Sequence, residues 1–127
     1  RECSTHFVIC LRESDERPVG EFYIASDDRP GCVECALVIG ETDLWGNGYG
    51  SEALSAYAEA LFTSGLCEAL RMDMRVDNVR AVRMAQKIGF VVEHVWANGM
   101  FQTLLLSRAA FELQKLRQAE VEAGLRR

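Results

Sequence analysis

The chain has 127 residues, of which 49% are apolar and 26% are charged, so it can form one compact domain but not two. Its net charge of -5 argues against general nucleic-acid binding, and it contains neither a membrane-length apolar run nor a signal-peptide pattern. We therefore expect a single domain over residues 1–127, located in the cytoplasm, with no nucleic-acid or membrane partner.

The first third of the chain alternates between strand and turn patterns. Residues 6–12 and 19–26 are predicted strands, and the polar stretch 13–18 between them is typical of a turn joining antiparallel neighbours. Residues 27–31 predict the next turn. The stretch 33–39 is rich in Val, Ile and Leu, which indicates a central strand covered on both faces.

A glycine-rich loop, Trp45-Gly46-Asn47-Gly48-Tyr49-Gly50-Ser51, follows this strand. Its alternate glycines let the backbone turn tightly and approach a ligand, and the helix after it offers unpaired N–H groups. The loop therefore predicts a phosphate or pyrophosphate site. It matches neither a P-loop, which ends in Gly-Lys-Ser/Thr, nor a dinucleotide fingerprint, which needs glycine where Ser51 stands.

Two helix patterns and one strand pattern come after the loop. From Ser51 the apolar residues recur with a period near 3.6, which predicts a helix that ends at Gly65. Residues 70–76 alternate as in a strand, and residues 78–88 predict a shorter helix that ends at Gly89. The segment 71–87 carries more cations than anions, so it is the best local candidate for a phosphate contact.

The C-terminal third predicts a hairpin and a last helix. Residues 91–97 and 100–106 flank Asn98-Gly99, a strong hairpin signal because both residues accept positive φ. Ser107 can cap the helix that follows, and residues 118–127 are mostly polar, so they are expected to reach solvent or a partner.

The five cysteines are an odd number for a secreted disulfide framework, so reduced thiols are expected. Cys32 and Cys35 form a C-x-x-C pair, but the chain has no second pair, and His6 and His94 lie far from it in sequence. Because a structural zinc site needs four ligands, no metal is predicted.

The order of elements and two motifs resemble the GNAT superfamily of acyl-CoA-dependent N-acetyltransferases. The family loop reads Gln/Arg-x-x-Gly-x-Gly/Ala, which Gly48-Tyr49-Gly50 fits with Trp45 in place of Gln or Arg. The segment Asn78-Val79-Arg80-Ala81 through Lys87-Ile88-Gly89-Phe90 is similar to the family helix Asn-x-x-Ala...Lys-x-Gly-Phe. Either motif alone is weak, but their order is specific, and the resemblance covers about residues 5–107. Trp45 to Gly50 looks like the Rim-type branch, whose familiar members acetylate ribosomal-protein N-termini.

The resemblance implies the α/β (α+β) GNAT fold, with a mixed, mostly antiparallel central sheet and flanking helices. It also implies that the N-terminal strand and helices, which form a wall of the acceptor site in the family, are missing from this sequence. Because the sequence starts at Arg1 with no initiator Met, we expect a domain truncated at its N-terminus, either a fragment or a processed form.

The resemblance also implies acetyl-CoA or coenzyme A as co-substrate. Backbone N–H groups of the loop residues Gly46, Asn47, Gly48, Tyr49, Gly50 and Ser51 would then hold the pyrophosphate. In the family the preceding strand splays from its neighbour and pairs with the pantetheine arm, a role that falls to Leu37, Val38 and Ile39. Asn78 would hydrogen-bond the arm or a phosphate. Arg83, with Arg80 and Lys87, would meet the adenosine phosphate, although a solvated helix face explains these cations equally well.

Two carboxylates are candidates for the catalytic base. Glu34 is the first choice, because some family members carry a glutamate base at this interval before the loop, and apolar neighbours would favour its protonated form. A solvent-exposed or ion-paired carboxylate is the alternative. Asp73 is the second choice, although flanking Arg71 and Arg75 favour a surface ladder. The backbone N–H of Leu37 or Val38 would polarise the thioester carbonyl.

One departure concerns protonation of the leaving thiolate. Many family members use a Tyr in the second helix and some Rim-type members use a Ser, whereas this chain has Ala85 and Ala81 there. Either water returns the proton or catalysis is weak.

The main hypothesis is an N-acetyltransferase acting on a primary amine, either a protein N-terminus or a small molecule. An acyl-CoA-binding regulatory domain is the alternative, and a homodimer is compatible with both.

Overall fold

The computed structural model describes residues 4–10, 18–39 and 48–124. These ranges contain nine elements, in the order β1 (Ser4–Cys10), β2 (Pro18–Ser26), β3 (Cys32–Ile39), α1 (Tyr49–Thr63), β4 (Ala69–Arg75), α2 (Val79–Ile88), β5 (Val91–Trp96), β6 (Phe101–Ser107) and α3 (Arg108–Glu122). The predicted order of strands and helices is confirmed over these ranges. Trp45, Gly46 and Asn47 of the glycine loop lie outside the described residues.

The six strands form one sheet in the order β1-β2-β3-β4-β6-β5. β3 and β4 are parallel, and the other four neighbouring pairs are antiparallel. The mixed, mostly antiparallel sheet with flanking helices that the resemblance implied is therefore confirmed.

Strand alternation gives the sheet a helix face and a polar face. The helix face holds the core: Phe22 of β2 stacks on Tyr57 of α1 with ring centroids 4.1 Å apart, and Leu70 and Leu104 are fully buried there. Directly opposed residues point the same way, so the pairs Glu34↔Arg71 and Asp73↔Thr103 turn their side chains to the other face. We call this second surface the polar face.

β3 and β4 separate along their length. Their pairing is confined to Cys32–Glu34 on β3 and Ala69–Arg71 on β4, whereas β2 pairs with β3 as far as Ile39. The C-terminal half of β3 therefore has a strand partner on one side only within the described chain. This is the splay that the resemblance implied.

Local signals place the hairpin and the last helix as predicted. Asn98 and Gly99 have φ of 56° and 85°, and the N–H of Met100 donates to the carbonyl of Ala97 at 3.1 Å. The Ser107 hydroxyl accepts a hydrogen bond from the N–H of Ala110 at 3.0 Å and so caps α3. None of the helices in the described ranges has the length and apolar character needed to cross a bilayer.

Candidate functional site

A cleft of about 500 Å³ lies beside the half of β3 that has left β4. Three elements build it: the end of β3, the start of α1 and one face of α2. Its lining residues are Leu37, Val38, Ile39, Gly48, Gly50, Ser51, Asn78, Arg80, Ala81, Arg83, Met84 and Lys87. Most residues predicted to bind the cofactor are thus brought together.

One described residue that was predicted to bind the cofactor does not line this cleft. Tyr49 is the first residue of α1 and is partly buried, but it is not among the lining residues. Gly46 and Asn47 fall outside the described part of the chain.

Gly48 is the N-cap of α1 and adopts φ of 85°, a left-handed conformation that favours glycine. Its carbonyl accepts the N–H of Glu52 at 2.9 Å, which starts the helix. Because Gly48 has no side chain to cap the first turn, the leading N–H groups of α1 keep their capacity to bind an anion.

Asn78 has a structural role that the sequence interpretation did not assign. It is the N-cap of α2, and its side-chain oxygen accepts the N–H of Ala81 at 3.3 Å. Its oxygen is therefore engaged, and its amide N–H₂ is the group that remains to donate to a ligand in the cleft.

The cations of α2 border the cleft. Arg80, Arg83 and Lys87 all line it, and Lys87 also lies in the last turn of the helix. The cleft therefore combines positive side chains with the N-terminus of α1, an arrangement suited to a polyanionic ligand.

Gly20 lies on β2 against the part of β3 that lines the cleft, and the sequence analysis did not identify it. It pairs with Ile39, and a Cβ at Gly20 would lie only 2.3 Å from the carbonyl oxygen of Val38. Only glycine lets β2 approach the end of β3 this closely. A lone glycine within a strand pattern was the available signal.

The two predicted carboxylates meet at one guanidinium on the polar face. Nη2 of Arg71 lies 3.3 Å from Oε1 of Glu34 and 3.3 Å from Oδ2 of Asp73. Nη1 of Arg71 donates to Oδ1 of Asp27 at 2.6 Å. Asp27 was not singled out from the sequence, and Arg71 was named only as a partner of Asp73 in a surface ladder, since their alternation places both on one face of the strand.

The environment of Glu34 differs from the one expected. Its side chain is 32% exposed and ion-paired with Arg71, so Glu34 is not enclosed by apolar neighbours alone, and its role as the base stays a prediction. Asp73 does form the expected ladder with Arg71, but Arg75 pairs with Asp77 instead, at 3.1 Å.

Asp73 is held more fully than Glu34. The Thr103 hydroxyl donates to Oδ1 of Asp73 at 2.7 Å and itself accepts from Nε1 of Trp96 at 3.0 Å. With Oδ2 on Arg71, both oxygens of Asp73 are engaged. Among the described residues, Glu34 has its single ion pair through Oε1, which leaves Oε2 for another partner.

Asp27 anchors this cluster from the turn between β2 and β3. Its side chain is only 4% exposed. Burial by itself would raise the pKa of Asp27, but hydrogen bonds from the Cys32 thiol and the Asp28 N–H, together with the charges of Arg71 and Arg29, lower it below the ordinary value. Asp27 is therefore a buried, ionised carboxylate.

The charged network continues across the polar face to β5. Arg29 donates from Nη1 and Nη2 to the two oxygens of Glu93 at 2.8 and 3.1 Å. Glu93 lies 3.3 Å from Nδ1 of His94. The charge of Arg29 is thus directed mainly to Glu93, and Arg71 is the guanidinium that faces Glu34.

Ala81 and Ala85 are the residues that stand where the resemblance implies a proton donor. Ala81 lines the cleft, and Ala85 is fully buried in the core. Neither side chain can donate a proton.

The C-x-x-C pair is split between the two sides of β3. Cys32 lies beside Asp27, and burial followed by that hydrogen bond raises the pKa of Cys32 to about 12. Cys35 belongs to the core. The structure, over its described ranges, has no group of three His, Cys, Asp or Glu side chains that could hold a metal ion.

Comparisons with known proteins add independent information. Residues 1–91 match the family model described as acetyltransferase (GNAT) domain. A comparison with curated protein sequences gave no significant match.

Solved structures of similar fold span most of this chain. A domain from Methanocaldococcus jannaschii DSM 2661 is 23% identical, with 84% of this chain and 68% of that chain covered and a TM-score of 0.73. Aminoglycoside acetyltransferase AAC(6')-Ib in complex with coenzyme A is 22% identical, with 88% and 70% covered and a TM-score of 0.75. Spermidine N-acetyltransferase SpeG from Vibrio cholerae is 16% identical, with 85% and 68% covered and a TM-score of 0.69. At these identities the likeness shows a shared fold.

Proposed function

Since the chain belongs to the acetyltransferase (GNAT) domain family, we propose that it transfers an acetyl group from acetyl-CoA to a primary amine by direct attack. The observation that carries this proposal is the splay of β3 from β4, which runs from the cleft to the rung Glu34↔Arg71. A cofactor arm and a carboxylate can meet there.

The cleft supplies the groups that acetyl-CoA needs. The N–H groups at the start of α1, near Gly48, suit a pyrophosphate, and Arg83 on α2 suits a further phosphate. Leu37, Val38 and Ile39 lie on the half of β3 that β4 has left, so their backbone is placed to pair with an extended pantetheine arm.

The reaction needs a base near the end of that arm. Glu34 marks the closed end of the splay, about 10 Å along β3 from Leu37 at the usual rise of a strand. The amine nitrogen attacks the thioester carbon while the backbone N–H of Leu37 or Val38 stabilises the oxyanion. The adduct nitrogen then passes its proton to Glu34.

Collapse of the adduct breaks the carbon–sulfur bond and releases the thiolate of coenzyme A. Water is the proton source for this thiolate, because Ala81 and Ala85 carry no acidic group. A thiolate is a sufficiently good leaving group for this route.

Glu34 is favoured over Asp73 as the base because of their hydrogen bonds. Both oxygens of Asp73 are engaged, by Arg71 and Thr103, whereas Glu34 has, among the described residues, one ion pair, which uses Oε1. We assign Asp73 to fixing the cluster and attracting a cationic acceptor.

Two acceptor classes fit the proposal. The Rim-type loop supports a protein N-terminus, whereas the aminoglycoside and spermidine acetyltransferases of similar fold support a small amine. Aminoglycosides and polyamines are cations, and the carboxylates of Glu34 and Asp73 on the polar face complement such charge. We therefore place the small polycationic amine first.

The cytoplasm is the compartment that we propose, because the described cysteines are free thiols.

The alternative is an acyl-CoA-binding regulatory domain. It is favoured by Ala81 and Ala85, which cannot return a proton, and by the ion pair that engages Glu34. The two functions differ in turnover, not in cofactor binding.

The decisive experiment measures transfer from labelled acetyl-CoA to a panel of polyamines, aminoglycosides and peptides with free N-termini. Coenzyme A binding is measured by calorimetry on the same protein. Transfer to at least one amine supports the enzyme, binding without transfer supports the regulatory domain, and absence of both excludes the cofactor assignment.

A further inference from the structure

We infer that Arg71 is the positioning residue of this reaction: its guanidinium fixes the Glu34 carboxylate at the point where β3 and β4 diverge. The inference rests on the proposed function. It concerns a residue that touches neither the cleft nor the reacting atoms and acts through Glu34.

Arg71 is surrounded by carboxylates from three elements. Asp27 comes from the β2–β3 turn, Glu34 from β3 and Asp73 from β4 itself. The shortest contact, 2.6 Å to Asp27, is also the most buried, because the Asp27 side chain is 4% exposed and that of Arg71 is 22% exposed. Asp27 therefore makes the strongest contact with the guanidinium, and the two more exposed carboxylates, Glu34 and Asp73, hold it less tightly.

The second nitrogen of the guanidinium is shared. Nη2 lies 3.3 Å from both Glu34 and Asp73, and Thr103 secures the other oxygen of Asp73. When Glu34 turns towards an amine, Asp73 still holds Nη2. Glu34 can thus exchange its ion pair for a substrate contact without releasing the cluster.

The charge of Arg71 also decides how the carboxylates coexist. Without it, Glu34 would face the negative charges of Asp27 and Asp73 from the turn and from β4. Arg29 compensates Asp27 alone, through Nε at 3.8 Å from Oδ2, because both of its Nη atoms donate to Glu93, and the Cys32 thiol remains protonated. His94 adjoins Glu93 on β5. Removing Arg71 therefore leaves these carboxylates to repel one another, and Glu34 loses the contact that fixes its position.

The test compares Arg71→Met, Arg71→Lys and Arg75→Met. Arg75 lies four residues further along the same strand and on the same face, pairs with Asp77 and makes no ion pair with Asp27, Glu34 or Asp73, so it is the matched control. For Arg71→Met we expect kcat to fall at least tenfold with KM for acetyl-CoA changed less than twofold.

Arg71→Lys keeps a positive charge but not the forked guanidinium, so it should recover only part of the kcat that Arg71→Met loses. If near-ultraviolet circular dichroism shows that Arg71→Met does not fold, the kinetic comparison is made with Arg71→Lys and the wild type. Arg75→Met should match the wild type.

The outcomes separate the inference from the proposed function. An active wild type whose Arg71→Met variant keeps the wild-type kcat overturns the inference and leaves the function standing. A loss of kcat that is equal in Arg71→Met and Arg71→Lys and is accompanied by an equal loss of acetyl-CoA affinity assigns Arg71 a purely structural role and also overturns the inference. A wild type that acetylates no amine removes the function and the inference together.

Discussion

Glu34 and Arg71 form the last paired rung between β3 and β4, and their side chains are joined by an ion pair of 3.3 Å on the polar face. Beyond this rung, within the described ranges, β3 pairs with β2 alone and borders the cleft. The point at which the sheet opens for a ligand is therefore the point at which it presents a carboxylate. Substitutions at this rung and substitutions along the cleft should therefore affect catalysis and cofactor binding separately.

Glu34→Gln should lower kcat at least a hundredfold, which is the usual contribution of a general base. Coenzyme A affinity should be unchanged, because Glu34 does not line the cleft. Asp73→Asn should cost no more than about tenfold, since its assigned role is to hold the cluster. The measurements are steady-state acetyl transfer and calorimetric binding. If Asp73→Asn is the more damaging change, the base has been assigned to the wrong carboxylate.

Gly48→Ala should weaken coenzyme A binding through a methyl group placed at the start of α1. The left-handed φ of 85° would also strain alanine and lower the free energy of unfolding by about 1 kcal/mol. Gly65→Ala is a matched control, because Gly65 has φ of 78°, and at neither glycine would an added Cβ have a neighbour within 4 Å. Both variants should lose similar stability in urea unfolding, but only Gly48→Ala should lose affinity. Equal affinities would place the pyrophosphate elsewhere.

Gly20→Ala should displace the end of β3. An added Cβ would meet the Val38 carbonyl at 2.3 Å, so the backbones must separate, at a cost of about 2 kcal/mol in the free energy of unfolding. Because Val38 lines the cleft, coenzyme A affinity should fall as well. Thermal unfolding and calorimetry test both effects. Destabilisation with unchanged affinity would mean that the cofactor does not pair with this part of β3.

Arg83→Gln distinguishes a phosphate contact from a solvated helix face. Arg83 lines the cleft, so we expect a loss of about 1 kcal/mol, or roughly fivefold in affinity, for coenzyme A. Dephospho-coenzyme A, which lacks the adenosine 3′-phosphate, should bind the variant and the wild type equally. The same loss for both ligands would contradict a contact between Arg83 and that phosphate.

Local signals in the sequence were sufficient for the order of elements. Asn98 and Gly99 accept positive φ at low cost, so the hairpin turn follows from their identity, and Ser107 caps α3 with its own hydroxyl. The cleft also follows from local order, since the strand, the glycine loop and the Asn78 helix come in sequence.

The cluster around Arg71 could not be read in the same way. Alternation placed Arg71 and Asp73 on one face, but only the register of β3 against β4 sets Glu34 opposite Arg71. Asp27 read as an ordinary turn residue, because its burial depends on how the β2–β3 turn folds under Arg71. The pair of Asp27 and Arg71 spans 44 residues and leaves no trace in a local pattern. The ion pair between Glu34 and Arg71 depends in the same way on strand register, which a local pattern does not contain.

Asp27→Asn should reduce the dependence of stability on acidic pH. The folded protein lowers the pKa of Asp27 below its ordinary value of 3.8, so its stabilisation is complete above that value and is lost as the pH falls through the lower folded pKa. At neutral pH the variant should be less stable by about 2 kcal/mol, because a charge-assisted hydrogen bond to Arg71 is weakened. The control for this change is Asp28→Asn, which alters the neighbouring exposed residue of the same turn.

The difference is measured by urea unfolding at pH 7 and at several values below about pH 4. The exposed pairs Glu68–Arg108 and Asp77–Arg75 remain in all three proteins, so the loss of slope in Asp27→Asn alone reports the buried carboxylate. Identical slopes in all three would show that Asp27 does not hold its charge against Arg71.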